Sequence, residues 1–270
     1  MDWPEDLGPL RPAGAARVSG HVKPFVHRAT SANGSGLGLY FSISEIQSRM
    51  AVDDPLALDL GYTRTMMGFL LFCPQPARLM MVGLGGGSLA KFCHRYLPGA
   101  AMLVAEINPH VIALRNEFLV PPDDERLTVV NACGALVVRH NVNPFDVMLV
   151  DGFDSQGQPA RLCSQRFYDD CHAALQPGGV LVVNLHHGHA RYEIFLDRLR
   201  RSFDELLVVN DGDLSNSIVF ALKDDGFARH RRGPLRRPRQ LDGVAAAQLK
   251  AAFALVAAAL KSRADGDLAG

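Results

Sequence analysis

The sequence predicts an α/β fold: a doubly wound, mostly parallel sheet with an antiparallel last strand, preceded by a small N-terminal antiparallel β-sheet. Beyond Pro76, short apolar runs (RLMMVG, AMLVAEI, RLTVVN, FDVMLVD, GVLVVNL) alternate with segments of helical spacing. Strands apolar on both faces belong to a parallel sheet covered by helices on each side. Near the end, ELLVVN and NSIVFALK are separated only by Asp211 to Ser215. That is too short for a helical crossover, so the pair must be an antiparallel hairpin. Between Val22 and Val52 the apolar residues instead come in short alternating runs broken by TSANGSG and Ser44-Glu45, the pattern of a small antiparallel sheet.

Residues 1–20, rich in Pro, Gly and Ala without a period, read as a flexible arm. Residues 21–75 hold the small sheet and a linking helix. In that helix Leu58, Leu60, Met66, Met67, Leu70 and Leu71 recur between the Asp53-Asp54-Pro55 break and Cys73-Pro74. Residues 76–225 form a Rossmann-like unit with helices expected over Ser88 to Tyr96, Pro109 to Phe118, Cys133 to His140 and Ser164 to Leu175. Residues 226–270 are an Arg-rich linker and a helix over Val244 to Leu260. That helix is apolar around most of its circumference, so it must pack on its own domain or on a dimer mate, and a homodimer is expected.

Composition bounds the function. The chain has 270 residues, 48% apolar and 21% charged, with 28 basic against 28 acidic side chains. This excludes a disordered or fibrous protein, and zero net charge removes any overall pull toward nucleic acid or anionic lipid. The six arginines at 229, 231, 232, 236, 237 and 239 are interleaved with no aromatic ring apart from Phe227 at the start. A solvated linker is favoured there over a nucleic-acid surface. No uncharged run reaches the roughly 18 residues of a membrane span, and the acidic first ten residues lack an apolar core, so no membrane association or export is expected. Five cysteines without a C-x-x-C pair suggest neither a disulfide framework nor a zinc site, and a reduced, cytoplasmic setting. His186, His187 and His189 sit too close in one loop to favour a metal, so none is expected.

Two elements suggest a bound nucleoside. Val82 to Ser88 reads as a strand end, a glycine loop and a helix start, where Gly83, Gly85 and Gly87 let the backbone turn and approach a ligand. Ser88 occupies the loop position where a dinucleotide fingerprint needs Gly or Ala. Glu106 ends the next strand, nineteen residues after Gly87, where an acid can accept from both ribose hydroxyls; the alternative is a cap for the helix at Pro109. NAD and AdoMet proteins share this pair, which therefore leaves both open. Asp151 follows FDVMLV at the crevice where open α/β sheets bind ligands, and Asp154 lies three residues on. Two carboxylates there can attract a cationic amine and take its proton. The alternative is loop capping.

These residues resemble the polyamine aminopropyltransferases, the spermidine and spermine synthase family, on a class I AdoMet-dependent transferase fold. The similarity runs over about residues 37 to 222 and is most specific in DVMLVDGFDSQGQPARLCSQRFYDDCHAALQPGGVLVVN. That run looks like the family's D-S-x-D-P-x-G-P segment, its Phe-Tyr helix (Phe167-Tyr168) and its Pro-Gly-Gly turn (Pro177-Gly178-Gly179). The resemblance implies Asp151 as general base toward the attacking amine, with Asp154 and Tyr62 holding that amine. It implies donor contacts from Gln47, Gly83, Gly85, Gly87 and Glu106, and from Ser88, Cys133 and Gly134 at the positions that line the donor. Decarboxylated AdoMet or AdoMet would be the group donor, without a metal, and a small amine the acceptor.

The chain also departs from the pattern. Ser88 and Cys133 stand where the family carries donor-binding aspartates, and Thr63 where it has Gln or His. The tyrosine expected before the last strand is missing around Asp213 to Asn216. An acid opposite the donor's ammonium would repel the carboxylate of intact AdoMet, so Ser88 implies weaker preference for the decarboxylated donor. A small-molecule methyltransferase and a non-catalytic nucleoside-binding relative are the alternatives.

Overall fold

The computed structural model describes residues 20–31, 34–42, 45–154, 157–210, 216–224, 227, 230 and 238–267. The N-terminal arm, most of the arginine run and residues 211–215, where a tyrosine is missing, lie outside them.

Three antiparallel strands come first, β1 (Phe25–Ser31), β2 (Gly34–Ser42) and β3 (Glu45–Ala51), in the order β1-β2-β3. Phe25 pairs with Tyr40 and their rings stack at 5.4 Å. Leu37, Leu39 and Met50 turn inward to the common core.

The linking helix is shorter than its apolar spacing predicts. α1 spans Gly61–Met66, and the chain tightens into a 3₁₀ segment over Met67–Leu71. Within it, Gly68 admits a close approach of the last helix: a Cβ there would lie 2.7 Å from Val256 Cγ2.

The main sheet follows with β4 (Arg78–Val82), β5 (Ala101–Glu106), β6 (Leu127–Asn131), β7 (Phe145–Val150), β8 (Leu175–His186), β9 (Leu206–Asn210) and β10 (Asn216–Leu222). Its order is β6-β5-β4-β7-β8-β10-β9, with β10 antiparallel to both neighbours. Alternate residues of β4 and β7 enter opposite layers: Leu79, Met81, Val147 and Leu149 on one face, Met80, Val82, Met148 and Val150 on the other. This is what period-two side chains do in a sheet covered on both sides.

The intervening helices are α2 (Ser88–Tyr96), α3 (Pro109–Ala113), α4 (Gly134–His140), α5 (Gln165–Ala174) and α6 (Tyr192–Ser202). The helix expected over Pro109 to Phe118 ends early. Its last part turns back through Leu119, at φ 55°, so that Phe118 and Val120 reach the places where Cβ atoms on Gly86 and Gly87 would sit. The buried Lys91 of α2 fastens this turn by donating from Nζ to Phe118 O at 2.9 Å.

The last helix, α7 (Gly243–Asp267), packs on its own chain. Ala245, Leu249, Val256 and Leu260 are buried, while Val244 and Leu255 are exposed. By length and composition alone its Gly243–Ser262 stretch could cross a membrane, a feature the sequence reading did not single out. Its Gln248 Oε1 accepts from Leu58 N at 3.0 Å, fixing the approach to α1.

Candidate active site

Where β4, β5, β7 and β8 reach their carboxyl ends, a cavity of ≈ 1510 Å³ opens under the N-terminal sheet. Gln47, Tyr62, Gly83, Gly85, Ser88, Glu106, Cys133, Gly134, Asp151 and Asp154 all line it. Gly87 does not. It takes a left-handed conformation (φ 69°) at the N-cap of α2, and its missing side chain makes room for Val120. Gly87 thus shapes the turn where a donor contact was expected, because Val120 occupies the space beside it.

The glycine loop is tied to both carboxylates. Gly83 has φ 95°, and a Cβ there would run into the carbonyl of Asp151, so the strand ends of β4 and β7 can meet only at glycine. Asp151 N donates to Val82 O at 2.9 Å across the same gap. On the other side, Leu84 N donates to Glu106 Oε2 at 2.9 Å and Asn108 N to Glu106 Oε1 at 2.8 Å. Glu106 does not cap α3. That cap is Asn108, whose Oδ1 accepts from His110 N at 3.0 Å, with Pro109 fixing the first turn. Burial pushes the Glu106 carboxyl above its ordinary value, opposed by the amides of Asn108, Leu84 and Gly85 that favour the charged form.

The N-terminal sheet forms the roof. Ser88 Oγ donates to Arg49 O at 3.4 Å, and a Cβ on Gly86 would lie 2.8 Å from Ser48 Oγ, so β3 rests directly on the loop. Arg49 is in turn paired with Asp59 at 2.9 Å. Cys133, preceding α4, has its sulfur 3.4 Å from Arg161 Nη1. A thiol and a guanidinium therefore occupy the place where the resemblance leads one to look for a carboxylate.

Asp151 lies on the cavity floor between two donors. Tyr62 donates its hydroxyl to Oδ2 at 3.0 Å, and Asn184 Nδ2 donates to Oδ1 at 2.9 Å. Burial pushes the Asp151 carboxyl above the usual aspartate value, and the bonds from Asn184 and Tyr62 pull it back. Burial, with the Asp151 charge and hydrogen bond beside it, raises the Tyr62 phenol well above its ordinary value. Tyr62 therefore stays protonated and acts as a donor. Asp154 is exposed at the cavity lip, in a turn closed by its main chain: Asp154 N donates to Gly157 O at 2.9 Å and Gly157 N to Asp154 O at 3.1 Å.

Sequence reasoning missed Asn184 and Gln158, both of which line the cavity. Asn184 carried a usable signal, a lone amide at the carboxyl end of an otherwise apolar strand beside the one ending in Asp151. Gln158 carried none, because its partners are main-chain atoms. Thr63 also lines the cavity, and its hydroxyl donates to Leu60 O at 2.6 Å. Among the histidines, His187 and His189 pack their rings on Tyr192 and Phe195. Among the described residues no group of three His, Cys, Asp or Glu side chains is placed to hold a metal ion.

The arrangement can hold a nucleoside near the glycine loop and Glu106 and offer a carboxylate to a reacting group near Asp151. Comparison with known proteins agrees with the fold and narrows the family. A solved structure described as a probable spermidine synthase from Corynebacterium glutamicum covers 89% of this chain and 95% of its own, with a TM-score of 0.64 and 18% identity. Human methyltransferase-like protein 13, solved in complex with SAH, aligns over 75% of this chain and 93% of its own at a TM-score of 0.58 and 21% identity. By sequence, a polyamine aminopropyltransferase of Chromobacterium violaceum is 39% identical over 232 residues, 84% of this chain and 88% of the relative. Residues 59–203 match the spermine/spermidine synthase domain, and the chain belongs to that family.

Proposed function

We propose that the protein transfers an aminopropyl group from decarboxylated AdoMet to a small amine, with Asp151 as general base. The observation that carries this reading is the pairing of Asp151 with Tyr62 and Asn184 in the same cavity as Glu106 and the glycine loop. The amine nitrogen attacks the carbon next to the sulfonium, the carbon–sulfur bond breaks, and methylthioadenosine leaves. The proton lost by the nitrogen goes to Asp151. Aliphatic amines have pKa values near 10.4, so at neutral pH few molecules are nucleophilic without such help. A raised Asp151 is better matched to that proton than an ordinary aspartate.

Glu106, with Gly83, Gly85 and Gln47, would hold the ribose side of the donor, and Ser88, Cys133 and Gly134 would line its remaining contacts. Asp154 at the lip would attract the cationic acceptor. The reading includes a soluble, cytoplasmic homodimer without membrane or nucleic-acid partners; the balanced charge of the chain supports only the lack of an overall pull toward nucleic acid or anionic membrane.

The test is product analysis with radiolabelled donors and a panel of diamines. Label from the propyl group of decarboxylated AdoMet is expected in a polyamine product. Label appearing only from the methyl group of intact AdoMet would replace this reading with methyl transfer, which Ser88, a neutral residue in the donor cavity, leaves room for. Calorimetric titration of both donors gauges that room directly.

A further inference from the structure

Parallel pairing of β7 with β8 ends at Val150 and Val183. Beyond it, the carbonyl of Asn184 and the N–H of His186 need partners from outside β7, since unpaired main-chain groups are costly to bury. One side chain supplies both. Gln158 Nε2 donates to Asn184 O at 2.8 Å, and Gln158 Oε1 accepts from His186 N at 3.3 Å. A carboxamide carries the same donor and acceptor as a peptide group, so Gln158 extends the ladder by one unit past the end of β7.

The same strand residue faces the reacting carboxylate. Asn184 is 3% exposed and gives its Nδ2 to Asp151 Oδ1 at 2.9 Å, while its Oδ1 is buried without a hydrogen-bond partner. Asp151 therefore decides which way this amide faces, and Gln158 holds the strand segment that bears it. Gln158 also follows directly on the Asp154–Gly157 turn, so one contact anchors both the far end of the loop after β7 and the support of the base.

We propose that Gln158 is a positioning residue for the transfer reaction: its carboxamide stitches the loop after β7 to β8 and so fixes Asn184 and the carboxylate of Asp151. This rests on the reading of Asp151 as the base. Glu106 and the glycine loop bond elsewhere, so loss of the stitch should disturb the chemical step more than donor binding.

Gln158→Met keeps the length of the side chain and removes the amide. Its kcat is expected to fall on the order of 10-fold, with the donor KM within about twofold, since misplacing a reacting group by a fraction of an ångström is enough for such a loss. Hydrogen exchange at the His186 amide should quicken in the same variant. Gln158→Glu separates a stitch from mere space filling. A carboxylate can accept from His186 N but turns away from the Asn184 carbonyl, whereas a protonated carboxyl restores one donor and one acceptor.

The ratio of its kcat to that of the wild type should therefore climb as pH is lowered toward about 5, near the titration range of a glutamate. A ratio that stays flat, or a Met variant with unchanged kcat and unchanged His186 exchange, would overturn the proposal. A wild type that transfers no aminopropyl group would instead bring down the function reading. Exchange at His186, which needs no turnover, tells the two failures apart.

Discussion

Glu106 and Asp151 both end parallel strands on the same sheet edge, and both are raised by burial, yet they are held in opposite ways. Glu106 is bound by main-chain amides, Leu84 N on one oxygen and Asn108 N on the other. Asp151 is bound by two side chains, Tyr62 and Asn184. Amides fixed by the turn of the chain keep a carboxylate charged and stationary, which suits a group that grips hydroxyls. Side-chain donors leave a carboxylate whose proton affinity can be tuned residue by residue, which suits a group that must accept and release a proton. Under the proposed function, the two halves of the cavity would divide binding from reaction.

The largest effect should come from Asp151→Asn, which keeps shape and removes the base. Turnover is expected to fall by about 10²- to 10⁴-fold, the usual worth of a positioned base, while methylthioadenosine binding measured by calorimetry stays within about twofold. Equal loss of both would erase the division. Glu106→Gln should do the reverse. An amide can accept from only one of the two main-chain N–H groups and turns its own donors toward the other, at a cost of about 1.5 to 3 kcal/mol. Nucleoside affinity should drop by about tenfold or more and the melting temperature should fall, with kcat at saturating donor comparatively spared.

A subtler effect lies in pH dependence. A base at Asp151 acts only when ionised, and its carboxyl is raised, so under the proposed function kcat/KM should fall as pH drops through a value above that of an ordinary aspartate. Tyr62→Phe removes a bond that favours the ionised form, so this acidic limb should move to higher pH. The corresponding limb in Glu106→Gln should stay where the wild type has it. A Tyr62→Phe limb that moved to lower pH would mean the hydroxyl does not stabilise the charged base.

What the sequence made legible were features that the backbone imposes. Apolar runs separated by helices had to be parallel strands, a five-residue link had to be a hairpin, and the glycines after β4 had to mark a sharp turn, although the contact of Gly83 with Asp151 emerged only in the fold. Strand-end acids were legible for the same reason, since an open sheet gathers the ends of its strands. Residues whose importance arises from a distant partner were not. Gln158 matters because the main chain of Asn184 and His186, 26 and 28 positions away, faces it, and nothing local announces this. The early end of α3 was equally hidden, because the turn at Leu119 is set by Phe118 and Val120 filling space beside Gly86 and Gly87.

Tyr62 stands on a short helix that has little of its own to hold it, and its footing is supplied from the far end of the chain. Gln248 bonds Leu58 N across 190 positions, and Val256 packs against Gly68 just past that helix. Synthesis proceeds from the N-terminus at about 5–20 residues per second, and early segments ordinarily begin folding first. The short helix also packs on β8 and β10, but the seat of the phenol that bonds Asp151 is completed only once residue 256 has emerged. A nascent chain, its last strand ending at Leu222, could close the sheet about 2 to 7 seconds before that seat was complete.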